Sequence, residues 1–484
     1  MAWISSIIDF CSGVYFVLYT AGVVSFEYIH YKAACCRRWL SGKTLDEEYS
    51  VVSEEDNPVR RSNDLFVTMV KNIARRLSKK NVYYTKLFQA IAYGSDVYDD
   101  ALASFFIQYT DTVDYDRSEY SNRHLNELMQ YSNEIGYTLT IDNDNDNDGK
   151  GAVDEYTPSK TGSVSLIFYG ILEKKDASGG SKTPVVIKYL RTNMTERIKR
   201  SINDFKYMVA LLNLFPKFKH LHLNDIFNEQ RVMMLDQVNF HSEVENILKM
   251  YRNYERTNTT FVKIPVVYPE FTHKFEDIIV MERISGKKLE DLTYEEKDEY
   301  CGIVAKGLIK SVFLDGFYHC DMHPGNLLFM DCEPESSCKR VGIFDFGIMS
   351  DISVREQNLS FELFKHILRR NVVEAAQTII SDYTEPHHTS KKRKNHDVEI
   401  DRSQLHRDIE DLVAEILKDS QVTCFSAKDL SRLNYVLLKY NLKVSGALTK
   451  FEISLSVCDN LCKKLAAHRS YMSYLKDLVD DMFE

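Results

Sequence analysis

Two aspartates and an asparagine mark the stretch where this chain concentrates its chemistry. Residues 316–347 read GFYHCDMHPGNLLFMDCEPESSCKRVGIFDFG, with Asp321 five residues ahead of Asn326 and Asp345 opening an Asp345-Phe346-Gly347 turn. Phosphoryl transfer uses this spacing. One Asp accepts a hydroxyl proton, an Asn five places on ligates a metal ion, and the Asp of an Asp-Phe-Gly turn holds the metal against the β- and γ-phosphates. D-F-G alone is a common exit from a strand into a turn. Joined to H-x-D-x-H-P-G-N at this distance, it predicts a nucleotide site. Asp321 is then the catalytic carboxylate, and Asn326 and Asp345 are the magnesium ligands. Cys320, between His319 and Asp321, is read as a small residue packed beneath the loop, since nothing in the sequence lowers its thiol pKa.

Such residues need strands and helices to aim them. A short apolar strand follows Asn326, and a second, Val341–Phe344, runs into the Asp-Phe-Gly turn. Upstream, a period of two over Val164–Leu172 and Val185–Leu190 predicts two strands joined by a turn-rich excursion. Lys188 sits inside the second. Among Val186, Ile187, Tyr189 and Leu190, a lysine either snorkels outward or faces anionic oxygens. The Asp pair downstream favours the second reading, in which Lys188 holds the α- and β-phosphates. Glu243, in a helical stretch, is the candidate carboxylate that orients Lys188, with Glu245 its competitor. No G-x-G-x-x-G precedes Lys188; Lys160-Thr161-Gly162-Ser163 stands there instead. Ile278–Glu282 reads as a strand entering an inter-lobe hinge, which makes Met281 a candidate nucleotide contact. Beyond Gly347 a helix is predicted near Val354–Arg369. No A-P-E follows, and almost no segment remains on which a peptide substrate could lie, which argues against a conventional protein kinase.

The 484-residue chain is long enough for more than one compact unit, and its 44% hydrophobic and 27% charged content is globular. A formal net charge of −10 argues against a nucleic-acid partner, which needs a basic face. The 10 cysteines form no C-x-x-C pair of the zinc-site kind and suit a reducing, cytosol-like compartment. From Phe10 to Phe26 no residue is charged, and Lys32, Arg37, Arg38 and Lys43 follow. That run is at the short limit for a bilayer span. Two readings stand: a membrane anchor, with the bulk of the chain on the cytoplasm-like side, or a buried helix. Leu65, Met69, Val70, Ile73 and Leu77 form the stripe of a later helix. Asp144 to Glu155 fits the formal spacing of a calcium loop, yet the Asp-Asn repeat matches itself in many registers and Pro158 interrupts an exit helix. A solvated acidic linker is the reading taken. Lys391–Lys394 reads as a solvated basic loop.

With these residues in view, the chain resembles the aarF/UbiB family of atypical, protein-kinase-like proteins. H-x-D-x-H-P-G-N, I-F-D-F-G and strand Lys188 carry the resemblance, which runs from about Lys86 to the C-terminus. It implies an α+β, two-lobe kinase-like fold: a small β-rich N-lobe, a helical C-lobe and an N-terminal helical extension. The segments are then 1–32, a candidate membrane anchor; 33–63, a polar linker; 64–140, the extension; 141–160, an acidic linker; 161–285, the N-lobe; and 286–484, the C-lobe. The family's K-x-G-Q signature, which folds over the nucleotide site, falls at Lys86-Leu87-Phe88-Gln89, with Phe88 in place of glycine. This implies Lys86 and Gln89 as site-closing contacts. Its alanine-rich nucleotide loop falls at Lys160–Ser163, implying Gly162 and Ser163 as nucleotide contacts. Its E-x-D signature falls at Gln237-Val238-Asn239, where both carboxylates have become amides. The resemblance implies ATP or ADP with magnesium, weak or no protein phosphorylation, and a role in isoprenoid-quinone or lipid metabolism at a membrane. An ATP-dependent atypical kinase or ATPase is the first functional expectation. A nucleotide-binding pseudokinase with a regulatory or scaffolding role is the second.

Overall fold

The sheet that carries Lys188 is built on alternation. Leu166 and Phe168 of one strand and Val185, Ile187 and Tyr189 of the next are buried, while Ile167 and Val186 between them are only partly covered; Lys188 breaks the alternation and is itself buried. Period-two burial of this kind drives two such segments to pair with one face inward. The structure, a computed structural model, describes residues 2–40, 58–86, 88, 102, 105, 106, 113–142, 156–175, 181–214, 223–331, 339–386, 401–418, 425 and 427–465. It divides into two compact units, Met1–Val238 and Asn239–Glu484. Gln89, the segment 144–155 and the basic stretch 391–394 lie outside the described residues.

In the first unit, helix α1 spans Ala2–Leu40 and α2 spans Pro58–Lys80, so the N-terminal helix runs well past the uncharged segment read from the sequence. By length and composition Cys11–Arg37 suffices to cross a membrane. One face of it is nonetheless committed within the unit. Gly13, Phe16, Val23 and Glu27 are buried, a spacing that makes a narrow helix–helix seam. Phe16 and Val23 share a core with Val67, Ala74 and Leu77 of α2. Glu27, at the far end of the apolar run, is neutralised by Arg76 at 3.2 Å and receives a hydrogen bond from Asn72 at 3.2 Å. Val14, Tyr15, Leu18, Val24, Phe26 and Ile29 face outward.

Helix α3 (Asn122–Glu134) starts at Ser121, whose hydroxyl accepts the His124 N–H. Its Leu125 and Leu128 are fully buried, each a contribution of about 1.5–3 kcal/mol. Strand β1 (Tyr137–Ile141) follows. Strands β2 (Lys160–Thr161) and β1 both pair antiparallel with β3 (Ser165–Lys174), and β4 (Lys182–Leu190) pairs antiparallel along the other edge of β3, with Ile167 opposite Lys188. Helices α4 (Met194–Leu212) and α5 (Leu223–Asp236) complete the unit.

The second unit begins with α6 (Phe240–Arg256), capped by the Asn239 side chain, which accepts the Ser242 N–H at 3.1 Å. Strand β5 (Val262–Lys263), helix α7 (Pro269–Lys274) and strand β6 (Ile278–Glu282) lead to α8 (Tyr294–Ile309). A π-helical turn, Lys310–Asp315, then ends at Gly316, where φ is +63°. That left-handed conformation favours glycine, and an added Cβ there would also displace the Gln357 side-chain amide. The turn feeds β7 (Phe317–His319), β8 (Leu327–Met330), β9 (Arg340–Ile343) and β10 (Met349–Asp351). Strand β9 lies between β5 and β8, while β7 pairs with β10. Helix α9 (Val354–Leu368), with a Ser353–Glu356 capping box, begins three residues after β10. The remaining described residues are chiefly helical: α10 (Val372–Asp382), α11 (Arg402–Ile416), α12 (Ala427–Leu438) and α13 (Gly446–Leu465), with a small β11–β12 pair (Thr384–Pro386, Leu442–Val444).

Candidate functional site

Strand β7 ends at His319, and this imidazole organises the loop beyond it. Its Nδ1 accepts the backbone N–H of Asp321 at 2.9 Å, which places the ring proton on Nε2. Nε2 then donates to the carbonyl oxygen of Asp345 at 2.6 Å. Asn326 closes the loop from the other end, its Nδ2 donating to the Asp321 carbonyl at 2.9 Å. A carbonyl can only accept, so the amide's orientation is fixed and Oδ1 is its atom suited to a cation. Phe344 N–H donates to the Asn326 carbonyl at 3.3 Å, and Gly347 N–H to Asp345 Oδ1 at 3.0 Å. Asp321, Asn326 and Asp345 are thus brought together by one continuous set of hydrogen bonds within the second unit. The Asp321 side chain stays 37% exposed, open to an incoming hydroxyl, and His323 Nε2 lies 3.6 Å from its Oδ2.

Helix α6 grips the same turn. Buried Glu243 accepts the Phe346 N–H through Oε1 at 3.4 Å, and Asn246 Nδ2 donates to the Phe346 carbonyl at 2.9 Å. One helical turn on, Lys249 is ion-paired to Asp351, and its ammonium sits 4.4 Å from the centre of the Phe317 ring. Farther along, Tyr254 shares a hydrogen bond with Ser311 at 2.9 Å. Glu245, the competitor to Glu243, points to solvent.

The other candidate residues divide between the units. Lys188, Gly162, Ser163 and Lys86 belong to the first. Lys188 is buried on β4, on the strand face it shares with the half-buried Val186 and Leu190, opposite the core face. Gly162 sits in the tight β2–β3 turn, its N–H donating to the Ser165 carbonyl at 2.9 Å, and Ser163 beside it is buried. Lys86 lies in a helical stretch that begins at Val82. Phe88, which stands where the family has glycine, packs against Tyr84 and Phe106, with ring centroids 6.2 and 5.2 Å away. Its bulk is used in the core of the helical extension. Met281 belongs to the second unit, buried in β6 and bridged to Val267.

Among the described residues no group of three or more His, Cys, Asp or Glu is placed to hold a metal ion. One carboxylate and one amide oxygen, Asp345 and Asn326, suit a hard cation that completes its shell with water and phosphate oxygens, as magnesium does. The donor set fits that ion and would be poor for a transition metal. Two residues of this site received no role from the sequence. His319 carried the signal, a histidine two places before Asp321. Asn246 carried none, because its partner is 100 residues away.

Residues 158–379 match the model of the ABC1 atypical kinase-like domain. Among curated proteins, the chain is 25% identical over 299 residues to the probable protein kinase UbiB of Haemophilus ducreyi, a match covering 60% of this chain and 50% of that one. It is 28% identical over 291 residues to the probable protein kinase UbiB of Histophilus somni, covering 58% and 50%. The chain therefore spans about half the length of these relatives. A solved structure from Mycobacterium tuberculosis, a complex of Rv3197 with erythromycin, aligns with a TM-score of 0.41 and 17% identity, over 67% of this chain and 76% of that one.

Proposed function

The chain belongs to the aarF/UbiB family of kinase-like proteins, and on that premise we propose that it is a magnesium-dependent atypical kinase or ATPase working at a membrane. One observation carries the reading: His319 joins the backbones of Asp321 and Asp345 while Asn326 holds the carbonyl of Asp321. These residues have ordinary structural uses singly. Together they tie the loop of Asp321 and Asn326 to the turn of Asp345, which supports reading the three as proton acceptor and metal-holding residues.

Asp321 takes the role of orienting the attacking hydroxyl or water and accepting its proton. Asp345 and Asn326 hold magnesium, which when bound neutralises charge on the phosphates. Glu243 keeps the Asp-Phe-Gly turn in place through Phe346, and the role assigned to Lys188 is to steady the α- and β-phosphates. Gly162 and Ser163 are assigned to the phosphates, Met281 to the base, and Lys86 to closing over the nucleotide. The acceptor is a small molecule or lipid, of the isoprenoid-quinone class in the first instance. The near absence of a segment between Gly347 and α9 supports this, since nothing there could seat a peptide. The outward apolar side chains of α1 support work at a bilayer.

Purified protein assayed for ATP hydrolysis with and without magnesium and liposomes tests this. Magnesium-dependent turnover that rises with liposomes and is lost in Asp345→Asn is the expected result; Asp345→Asn protein hydrolysing ATP normally would overturn the assignment. A second reading, a nucleotide-binding pseudokinase, is favoured by the amides at Gln237 and Asn239. Asn239 is used to cap α6. An ATP-induced thermal shift without turnover would select this alternative.

A further inference from the structure

Arg191 follows β4 directly, three residues beyond Lys188, and its side chain is 2% exposed. Its guanidinium sits where three separate pieces of the first unit meet. Nη1 donates to the Asp114 carbonyl at 3.0 Å and to Glu119 Oε2 at 2.6 Å. Nη2 donates to the Val113 carbonyl at 3.2 Å and to the Gly162 carbonyl at 2.6 Å. The backbone completes the junction. Val113 N–H donates to the Thr161 carbonyl at 3.0 Å, Arg191 N–H to the Val164 carbonyl at 3.1 Å, and Thr192 N–H to the Glu119 carbonyl at 2.8 Å. Glu119 is itself shared, its other oxygen paired with Arg197 of α4.

Residues 161–164, the turn between β2 and β3, are therefore held from one side by the segment 113–119 and from the other by the end of the lysine strand. A planar guanidinium with fixed N–H directions can satisfy carbonyls from two segments and a carboxylate at once, whereas a lysine ammonium offers three donors and no fixed plane. Burying such a charge is a poor way to gain stability, since an apolar plug of similar volume is often as good or better. What the charged fork supplies here is position: the Gly162 carbonyl is fixed relative to β4, and so relative to Lys188.

The geometry points to Arg191 as a positioning residue for the nucleotide, which locks the Thr161–Val164 turn beside the phosphates and couples it to the tail of the helical extension. Arg191 acts through Gly162 and touches no substrate. The inference rests on the reading of residues 160–163 as the nucleotide loop. Its consequence is asymmetric. Loosening the turn weakens the grip on ATP, while Asp321 and Asp345 keep their own hydrogen bonds and the chemical step suffers less.

The test uses the full chain with Arg191→Lys and Arg191→Met. MgATP affinity is read with a fluorescent ATP analogue, KM and kcat by ATP hydrolysis, and backbone mobility by hydrogen exchange without nucleotide. Both variants should raise the Kd and KM for MgATP by about tenfold with a smaller change in kcat, Lys less than Met. Exchange should quicken at residues 113–119 and 161–164 and stay unchanged at the Asp345 turn. Wild-type Kd in both variants would overturn the role of Arg191 while leaving the nucleotide reading intact. Failure of the wild type to bind MgATP would overturn both, and so separates the two failures. Should Arg191→Met not fold, Glu119→Gln removes the carboxylate partner alone and is read the same way: a raised Kd supports the clamp, an unchanged Kd refutes it.

Discussion

His319 is bonded to Asp345 across 26 residues of chain, its Nε2 lying 2.6 Å from the aspartate's carbonyl oxygen. Because Nδ1 of the same ring is taken by the Asp321 N–H, one neutral tautomer serves both loops. The Asp321 loop and the Asp345-Phe346-Gly347 turn are thereby fixed to each other through a single side chain, without using either carboxylate.

Replacing that ring should damage turnover more than folding. His319→Ala forfeits two hydrogen bonds, about 2 kcal/mol of stability in total, and lets the two loops drift apart. A drift of about 1 Å is enough to lower kcat by up to about a hundredfold. His319→Gln, with a donor and an acceptor on one side chain, should recover part of the loss. Steady-state ATP hydrolysis alongside thermal unfolding decides the matter. An alanine variant with wild-type kcat would show that the bridge has no part in positioning.

The Phe346 carbonyl is held by Asn246 at 2.9 Å, so α6 reaches the Asp-Phe-Gly turn through an uncharged contact as well as through Glu243. Asn246→Leu should leave α6 helical but free the turn. The expected effect is on metal dependence: the magnesium concentration for half-maximal ATP binding should rise by about five- to tenfold, the loss of one well-placed hydrogen bond. Titrating magnesium at fixed ATP measures it. An unchanged midpoint would show that Glu243 alone holds the turn.

Glu452, within α13, is fully buried; one oxygen accepts the Phe425 N–H at 2.7 Å, and the other has no partner among the described residues. Burial first, and the Asp429 charge in addition, push its carboxyl up to about 8. Between its ordinary value of 4.5 and that figure, the folded protein keeps a proton that the unfolded chain releases. The contribution of this group to stability is therefore full below about 4.5 and is lost as pH climbs through about 8, a total of several kcal/mol. Glu452→Gln should remove that slope, leaving stability near wild type at pH ~5 and above it at pH ~8. Urea unfolding across this range is the measurement, and a pH-independent offset between the two proteins would refute it.

The site was legible where chemistry demanded particular side chains at fixed spacing. Asp321, Asn326 and Asp345 sit on one loop and one turn, and strand β6 spans the residues Ile278–Glu282 that read as a strand. Glu243 was separable from Glu245 only by burial, which depends on how α6 rotates against its neighbours. Arg191 gave no signal, because its partners at 113, 114, 119 and 162 meet it only after the chain has folded back. Phe88 read as a defect in a signature, yet it fills a core that the signature does not describe. The uncharged run ending at Phe26 hid the extent of α1, since Glu27 is buried with Arg76 and does not end the helix.

That packing of α1 makes a prediction which separates a helix crossing a bilayer alone from one docked on its own protein. An added Cβ at Gly13 would lie 1.9 Å from the ring of Tyr207 on α4, at the base of the side chain where rotation gives little relief. If α1 stays docked, Gly13→Leu must force the two helices apart, at a cost of about 1–3 kcal/mol typical of overpacking. Proteolysis between α1 and α2 should quicken and the unfolding midpoint should drop. A helix crossing the bilayer by itself would take the larger apolar residue without penalty and hold membranes at least as firmly. Comparing denaturation and liposome flotation of the wild type and Gly13→Leu reads both quantities: lower stability supports the docked helix, and unchanged stability with tighter flotation supports the lone span.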